Sequence, residues 1–259
     1  MNFNNIRAII ANDITTVIRV KWRFLELTYF PLSSILIWGL FAIQSRAYAA
    51  EAGLIVLVVN LFWSFSQLAQ QQANILVMED LWSFSIKHIL IAGVSETEYI
   101  IAKLITSTSA AIIITSFLLL IANAFGAPLL ANLGTVAAIA GIALLGSVSL
   151  AILISGTIIM LGKEYGFLSW SMLQVFVFLS APFFSPDIFP VPIRWITEIM
   201  PFTYVFQSAR AIATNVPVQN STLLHALSAV IAYFIFAWPY YYYSFRRARK
   251  TGMLAKMSS

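Results

Sequence analysis

The stretch that decides the fold runs from residue 104 to residue 162 and reads LITSTSAAIIITSFLLLIANAFGAPLLANLGTVAAIAGIALLGSVSLAILISGTIIMLG. None of its 59 residues is Asp, Glu, Lys or Arg. A helix needs about 20 apolar residues to cross the hydrocarbon core of a bilayer, so the stretch is long enough for two membrane-spanning helices and a turn. The tripeptide Gly126-Ala-Pro128 marks that turn, because proline does not continue a helix.

The rest of the chain has the same apolar character. Of its 259 residues, 60% are hydrophobic and 10% are charged, whereas soluble domains average about 45–50% apolar and about 25% charged residues. We therefore predict an all-α integral membrane protein that forms a single transmembrane domain over residues 1–259. Six spans are predicted, at residues 27–45, 52–75, 104–125, 131–161, 167–184 and 222–245.

Lys and Arg residues fall mainly on one side of these spans. With both termini inside, the inner segments hold 12 of them and the outer loops hold 3. Cytoplasmic segments of membrane proteins are enriched in these residues, so we expect both termini in the cytoplasm. The basic tail Phe245-Arg-Arg-Ala-Arg-Lys250 then lies against lipids of the inner leaflet, and nucleic acid is not expected as a partner.

Residues 1–26 are predicted to form an amphipathic helix. Ile6, Ile10, Ile14 and Ile18 recur at helical spacing, and polar residues occupy the other faces. Such a helix lies in the plane of the membrane interface. We expect it on the cytoplasmic side, just before the chain turns into the bilayer.

The second span carries five uncharged polar residues on one helical face. They are spaced four, three, four and three residues apart: Asn60, Ser64, Gln67, Gln71 and Asn74. Polar groups in hydrocarbon need partners, so this face points into the protein or into water. Three interpretations remain open, namely a hydrogen-bonded seam between helices, the polar wall of a translocation path, and an extension of the helix past the membrane.

The fourth span carries small residues every four positions, at Ala143, Ser147, Ala151 and Ser155. Small residues at this spacing let a second helix approach closely. The pattern favours helix packing, within the chain or across a dimer, over a chemical role.

Two longer segments separate the spans. Residues 76–103, on the predicted cytoplasmic side, have a Gly93 stop followed by Ser95-Glu-Thr-Glu98, which is typical of a new helix N-terminus. They predict a short helix across the cytoplasmic face. Residues 185–221, on the outer side, are mostly apolar, and the four prolines between residues 182 and 192 exclude a continuous helix there. They predict short re-entrant helices that dip into the outer leaflet.

The order of these features resembles one known family. The amphipathic N-terminal helix, the two spans and the Glu-led cytoplasmic helix that ends near Gly93 resemble the type 2 permeases of ATP-binding-cassette exporters. The resemblance covers essentially the whole chain. Its most specific part is the outer stretch before the last span, with Pro186, Phe189, Pro190, Pro201, Tyr204 and Arg210.

The resemblance implies a homodimeric permease in the cytoplasmic membrane of a prokaryote, with each subunit docked on a separate nucleotide-binding subunit that holds ATP and Mg²⁺. A coupling helix from Glu79 to Ile91 would fit a groove of that ATPase, and the loop at Lys163 and Glu164 would make a second contact. The residues expected at these contacts are Glu79, Asp80, Trp82, Ser83, Lys87, His88, Lys163 and Glu164. The residues expected along the translocation path are Asn60, Ser64, Gln67 and Gln71.

The chain carries no P-loop of its own. The nearest string, Gly156-Thr-Ile-Ile-Met-Leu-Gly162-Lys-Glu, has five residues between its glycines instead of four and no hydroxyl after the lysine. We therefore expect no catalytic residue, metal or cofactor in this chain, and energy from a partner or a gradient.

Export of an amphipathic drug, lipid or lipid-linked glycan is the leading hypothesis for the function. A gradient-driven carrier or channel is an alternative, although such carriers usually place carboxylates mid-membrane and no acidic residue falls in a predicted span core. An intramembrane enzyme is a second alternative, for which the sequence offers no nucleophile next to a base. The tryptophans, including Trp38, Trp63 and Trp170, are interpreted mostly as lipid-facing or interfacial and do not identify the cargo.

Overall fold

The computed structural model describes residues 1–47 and 49–252, apart from the side chains of residues 21–23 and 26. Residues 253–259, including Lys256 of the predicted inner tail, lie outside the described residues. The helices are α1 Phe3–Arg19, α2 Lys21–Ser45, α3 Ala50–Trp82, α4 Ser85–Ile91, α5 Glu96–Ala124, α6 Leu133–Leu161, α7 Leu168–Leu179, α8 Val191–Ile199, α9 Thr203–Ala213 and α10 Asn220–Lys250. Two short 3-10 helices lie at Lys163–Phe167 and Pro186–Ile188.

Five of the described helices, α2, α3, α5, α6 and α10, are long and apolar enough to cross a membrane. The prediction of an all-α, multi-pass membrane protein is thereby confirmed at this level. The predicted fifth span, 167–184, contains only the 12 residues of α7, which extend about 18 Å. The helix stops because Pro182 disfavours the α conformation at the residue before it, and Ala181 has a positive φ of 48°.

α3 and α6 form the centre of the bundle. The most apolar window of α3 is 67% buried and that of α6 is 56% buried, against 17% for α10. Small residues let α6 approach its neighbours, because Ala151 and Ser155 face Asn74 of α3 and Gly156 lies against the backbone of Tyr241 in α10. The small-residue pattern therefore serves packing within the chain.

The contacts define two ends of the bundle. At one end, which we call the Trp82 end, Tyr241 of α10 donates a hydrogen bond to the Glu96 carbonyl at the start of α5 (3.1 Å), and Thr157 of α6 bonds Tyr240 (2.9 Å). At the other end, which we call the Arg46 end, Arg46 donates to the carbonyl of Phe125 after α5 (2.8 Å). Tyr99 near the start of α5 also donates to Asp80 near the end of α3 (2.8 Å), so the C-terminus of α3 and the α4 helix that follows it lie at the Trp82 end.

The predicted coupling helix from Glu79 to Ile91 is in fact two helices. α3 continues to Trp82, seven residues beyond the predicted end of its span at residue 75. The chain then turns at Phe84, which has a left-handed φ of 58°, and α4 begins at Ser85. The turn separates the two helices because a residue in the left-handed region cannot continue a right-handed helix.

The proline-rich segment forms short helices, as its sequence predicts. Pro186 begins the second 3-10 helix, Pro190 caps α8, and Pro201 lies in the turn between α8 and α9. The six-span count and the re-entrant position of these helices remain predictions.

Candidate functional site

A cavity of about 700 Å³ lies beside α3, and we call it the α3 cavity. Four of the five polar residues predicted on one face of the second span line it: Asn60, Ser64, Gln67 and Gln71. α2 forms one flank with Phe30, Pro31, Ser34 and Trp38, and Trp170 of α7 with Phe183 forms the other, while α3 adds Trp63, Leu68 and Gln72. The helical spacing of the polar residues predicted this common face, but the flanking residues come from helices that the sequence could not pair.

Hydrogen bonds fix the polar side chains at both ends of the cavity. The Asn60 side-chain amide donates to Ser34 Oγ of α2 (3.1 Å), and Gln67 Nε2 donates to Gln71 Oε1 (3.1 Å). That bond uses Gln67 Nε2 and Gln71 Oε1 and leaves the Gln67 carbonyl oxygen and the Gln71 NH2 group outside it. An acceptor oxygen and a donor NH2 group therefore remain for a molecule in the cavity.

Aromatic rings form the flanks of the cavity. Trp63 packs on Phe183 with ring centroids 5.9 Å apart, Trp38 lies on α2, and Trp170 is 45% exposed at the edge. From the sequence alone these tryptophans are interpreted mostly as lipid-facing or interfacial, because composition does not distinguish residues that line a cavity from residues that face lipid. None of the described residues that line the cavity is charged.

Asn74, the fifth residue of the polar face, has a different role. It is fully buried, and its side-chain amide donates to the carbonyl of Ala151 (2.9 Å) and to Ser155 Oγ (2.8 Å), both in α6. Gln70 donates to Asn74 and to the carbonyl of Ser169. Asn74 therefore belongs to a hydrogen-bonded seam between α3 and α6. The lining of the cavity along α3 ends about one turn earlier, at Gln71 and Gln72.

A buried ionic cluster lies at the Trp82 end. Lys103 of α5 is 1% exposed, and its Nζ lies 2.8 Å from Asp13 Oδ1 of α1 and 2.7 Å from Asp80 Oδ2 of α3. Asp80 also accepts hydrogen bonds from Tyr99 of α5 (2.8 Å) and from Ser85 of α4 (2.7 Å). These contacts join four helices, α1, α3, α4 and α5, at one point, which we call the Lys103 cluster.

A second contact holds the N-terminus of α1. Glu98 completes a capping box with Ser95 at the start of α5, and its carboxylate also accepts from the Asn2 backbone and from Asn5 Nδ2 (3.1 Å). α1 is thus fastened to α5 at two points, at its N-terminus through Asn2 and in its second half through Asp13. α1 is predicted to lie in the membrane interface, and these contacts also fix its position against α5. The sequence of α1 alone did not indicate this attachment.

The predicted ATPase contacts fall into two groups. Trp82 is 50% exposed, and Ser83, His88 and Glu164 are also exposed. Asp80, in contrast, was expected at the ATPase contact, but only 8% of it is exposed and its carboxylate pairs with Lys103. It therefore belongs to the interior. A carboxylate held in that pair is not available to a partner protein.

The two predicted cytoplasmic contacts meet at Phe84. Lys163, from the loop after α6, lies 5.3 Å from the Phe84 ring centroid, and Lys87 of α4 lies 5.7 Å from it. Gly166 packs so closely on Met78 that a Cβ there would overlap the methionine side chain. The loop after α6 and the end of α3 therefore form one surface, to which Glu79 also contributes in half-buried form.

The predicted outer segment, residues 185–221, is held by its arginine and its aromatic residues. Arg210 of α9 donates to the carbonyls of Ala181 (2.6 Å) and Pro182 (2.8 Å), just after α7. Tyr204 stacks on His225 of α10 with centroids 5.4 Å apart, and burial, with a smaller effect of Glu198, raises its pKa. Phe189 packs edge-on against two other rings, Phe178 and Phe184.

Comparison with known proteins adds no family to these observations. No protein-family model matches the chain, and no curated protein matches it.

Proposed function

We propose that the chain is the permease subunit of an ATP-binding-cassette exporter, which moves an amphipathic molecule outward with energy from a separate ATPase subunit. The observation that carries the proposal is the continuity of α3. One uninterrupted helix, Ala50–Trp82, lines the α3 cavity and ends at the exposed contact segment. Asn60 and Trp82 are about 33 Å apart along its axis.

A helix of this kind can transmit movement between the two sites. The contact surface around Phe84 and α4 would receive the ATPase, and the Lys103 cluster ties α4 to α1, α3 and α5. Displacement of α4 would then move α3 and α5 together, and the polar wall of the cavity with them. Alternating exposure of the cavity to the two sides follows from such a rigid-body movement.

The directions in which α6 and α10 run support six crossings of the membrane. α6 and α10 both run from the Arg46 end to the Trp82 end, since Thr157 and Tyr240 meet near their C-termini. The chain between Leu161 and Asn220 must therefore return across the bundle. We propose that the first 3-10 helix, α7 and the residues up to Phe183 form this crossing.

A re-entrant outer segment is also part of the proposal. Phe202, just before α9, is fully buried and lies against Gly146 of α6, which Val230 of α10 also approaches. From Leu133 to Gly146, α6 rises about 20 Å, so Phe202 reaches well below the Arg46 end. α9 then leads back to Asn220 at that end.

We further propose a homodimer in which the cavities of two subunits face each other. The cavity edge is open, with Phe30 64% exposed and Trp170 45% exposed. A second copy would cover these aromatic residues and enclose a path between the two α3 helices.

Co-purification and vesicle transport test the proposal. The permease is expressed with an ATPase subunit encoded by a neighbouring gene and reconstituted, and uptake of fluorescent amphiphiles of different charge into inverted vesicles is measured with and without ATP. We expect the ATPase to be retained, uptake to require ATP, and Trp82→Ala to weaken retention. Trp195→Ala, at a more exposed tryptophan on α8 (72% against 50% for Trp82), should leave both unchanged.

A different result would favour a gradient-driven carrier. Such a carrier would use a buried ionisable group, and the Lys103 cluster is the place in the described chain where two carboxylates flank a buried lysine. Uptake that continues without ATP and stops when an ionophore collapses the proton gradient would contradict the proposal and support this alternative.

A further inference from the structure

The lining of the α3 cavity restricts the charge of its ligand. The described residues that line it offer amides, hydroxyls, aromatic rings and aliphatic carbons, and none carries a formal charge. An anion that enters loses water and meets no cation among the described lining residues, and burial of an unpaired charge costs several kcal/mol. A desolvated cation–π contact with the aromatic rings contributes about 2 kcal/mol or more, but the described lining offers no carboxylate that would complete a cation site.

The arrangement of the lining also restricts the ligand's shape. The hydrogen-bonding groups lie in the middle, along α3, from Asn60 to Gln71, a distance of about 16 Å along the axis. Tryptophan rings lie on both sides of them, Trp38 on α2 and Trp170 on α7. Aromatic rings pack best against planar or apolar faces, whereas Gln67 Oε1 and Gln71 Nε2 need a donor and an acceptor.

We propose that the α3 cavity binds an uncharged, drug-sized molecule that combines a planar apolar face with several hydroxyl or carbonyl groups. A volume of about 700 Å³ is within the range of pockets that enclose such molecules. Phospholipids and phosphate-linked glycans carry the anionic group that this lining does not compensate, so of the three cargo classes an uncharged drug-like molecule fits. The inference rests on the proposed function only where it calls this ligand the cargo.

A matched pair of probes tests the charge preference. 4-Methylumbelliferyl glucoside and 4-methylumbelliferyl phosphate share one aromatic ring system and differ in whether the polar part is neutral or anionic. Binding of each to the purified permease in lipid nanodiscs, without ATPase, is measured by equilibrium dialysis. We expect saturable binding of the glucoside and at least tenfold weaker binding of the phosphate.

Variants locate the binding in the cavity. Gln67→Leu with Gln71→Leu removes two hydrogen-bonding groups and should weaken glucoside binding about tenfold, and Trp170→Leu should also weaken it. Trp195→Leu is the matched control, because Trp195 is 72% exposed and lies outside the cavity lining. Gln67→Lys supplies the missing cation and should raise affinity for the phosphate probe, a gain that a misfolded protein cannot show.

Three results would overturn the inference: no saturable binding of the glucoside, equal or tighter binding of the phosphate, or an equal loss in the Trp195→Leu control. The proposed function can fail separately. If the glucoside binds as expected but no ATPase drives transport, the cavity assignment stands and the exporter proposal falls. If ATP drives export of a phosphate-bearing cargo through this permease, the exporter proposal stands and the charge inference falls.

Discussion

The environment of Lys103 is formed by residues from distant parts of the chain. Its ammonium group is buried between Asp13, 90 residues earlier, and Asp80. A buried pair contributes little net stability when compared with apolar residues, but the removal of one partner leaves the other charge uncompensated. The cluster is therefore a point where a single substitution affects four helices.

We predict that Lys103→Met lowers the free energy of unfolding by about 3–5 kcal/mol, because Asp13 and Asp80 lose their buried cation. Arg249→Gln is the control, since the Arg249–Glu96 pair (3.0 Å) is partly exposed and such pairs contribute about 1 kcal/mol or less. Unfolding of both variants in detergent, followed by circular dichroism, checks the difference. Equal losses would show that the Lys103 cluster is not the buried junction described here.

Gly53 sets the closest approach of α2 and α3. A Cβ at this position would lie 2.8 Å from the Cα of Ala42, and neither backbone can move without opening the helix pair. We predict that Gly53→Ala destabilises the protein by about 1–3 kcal/mol through overpacking. Gly141→Ala, in α6 with no atom near its Cβ position, should be neutral or slightly stabilising. Thermal unfolding compares the two, and equal stability would contradict the close crossing.

At the scale of a single helix, α3 changes its role along its length. Ser64, Gln67 and Gln71 line the cavity, and Asn74 one turn later bonds α6. We predict that Asn74→Leu lowers stability by about 1–3 kcal/mol, since it removes three buried hydrogen bonds and leaves Ser155 and Gln70 with fewer partners. Gln71→Leu should keep stability and reduce uptake in vesicles. The opposite pattern, with Gln71→Leu unstable and Asn74→Leu inactive but stable, would contradict this division.

The sequence of α3 predicted part of this division. Helical spacing placed the five polar residues on one face, because that depends only on local geometry. It could not separate Asn74 from Gln71, because the difference lies in which helix packs beside each residue. The break at Phe84 was also not predicted, since a left-handed conformation at a phenylalanine is imposed by its surroundings and has no sequence signal.

The same limit applies to α7 and to the Lys103 cluster. The apolar stretch at 167–184 predicted a span, but the 3-10 helix that ends at Phe167 and Pro182 on the other side limit the α-helix to 12 residues. Lys103 stands immediately before the uncharged stretch 104–162, and a lysine at the edge of a membrane span does indicate that a partner is needed. That the partners of Lys103 are Asp13 and Asp80 could not be predicted from the sequence, because it depends on how α1 and α3 pack against α5.

At the scale of the whole molecule, the proposed function requires two segments of the chain to lie on opposite sides of the membrane. α4, at the Trp82 end, would contact the ATPase in the cytoplasm, and the outer segment that ends at Gln219 would face the exterior. Three crossings, α5, α6 and the α7 region, separate the two segments in the six-span arrangement. With only the five long helices as spans, two crossings separate them, and both segments would lie on the same side.

The chain has no cysteine, so single-cysteine labelling measures this directly. Ile91→Cys, Gln219→Cys and Thr251→Cys each introduce one thiol at an exposed position, and an impermeant maleimide is applied to intact right-side-out vesicles and to inverted ones. The account predicts that Gln219→Cys is labelled only in right-side-out vesicles, and that Ile91→Cys and Thr251→Cys are labelled only in inverted ones. Labelling of Ile91→Cys in intact right-side-out vesicles would contradict it, since no cytoplasmic ATPase could then reach α4.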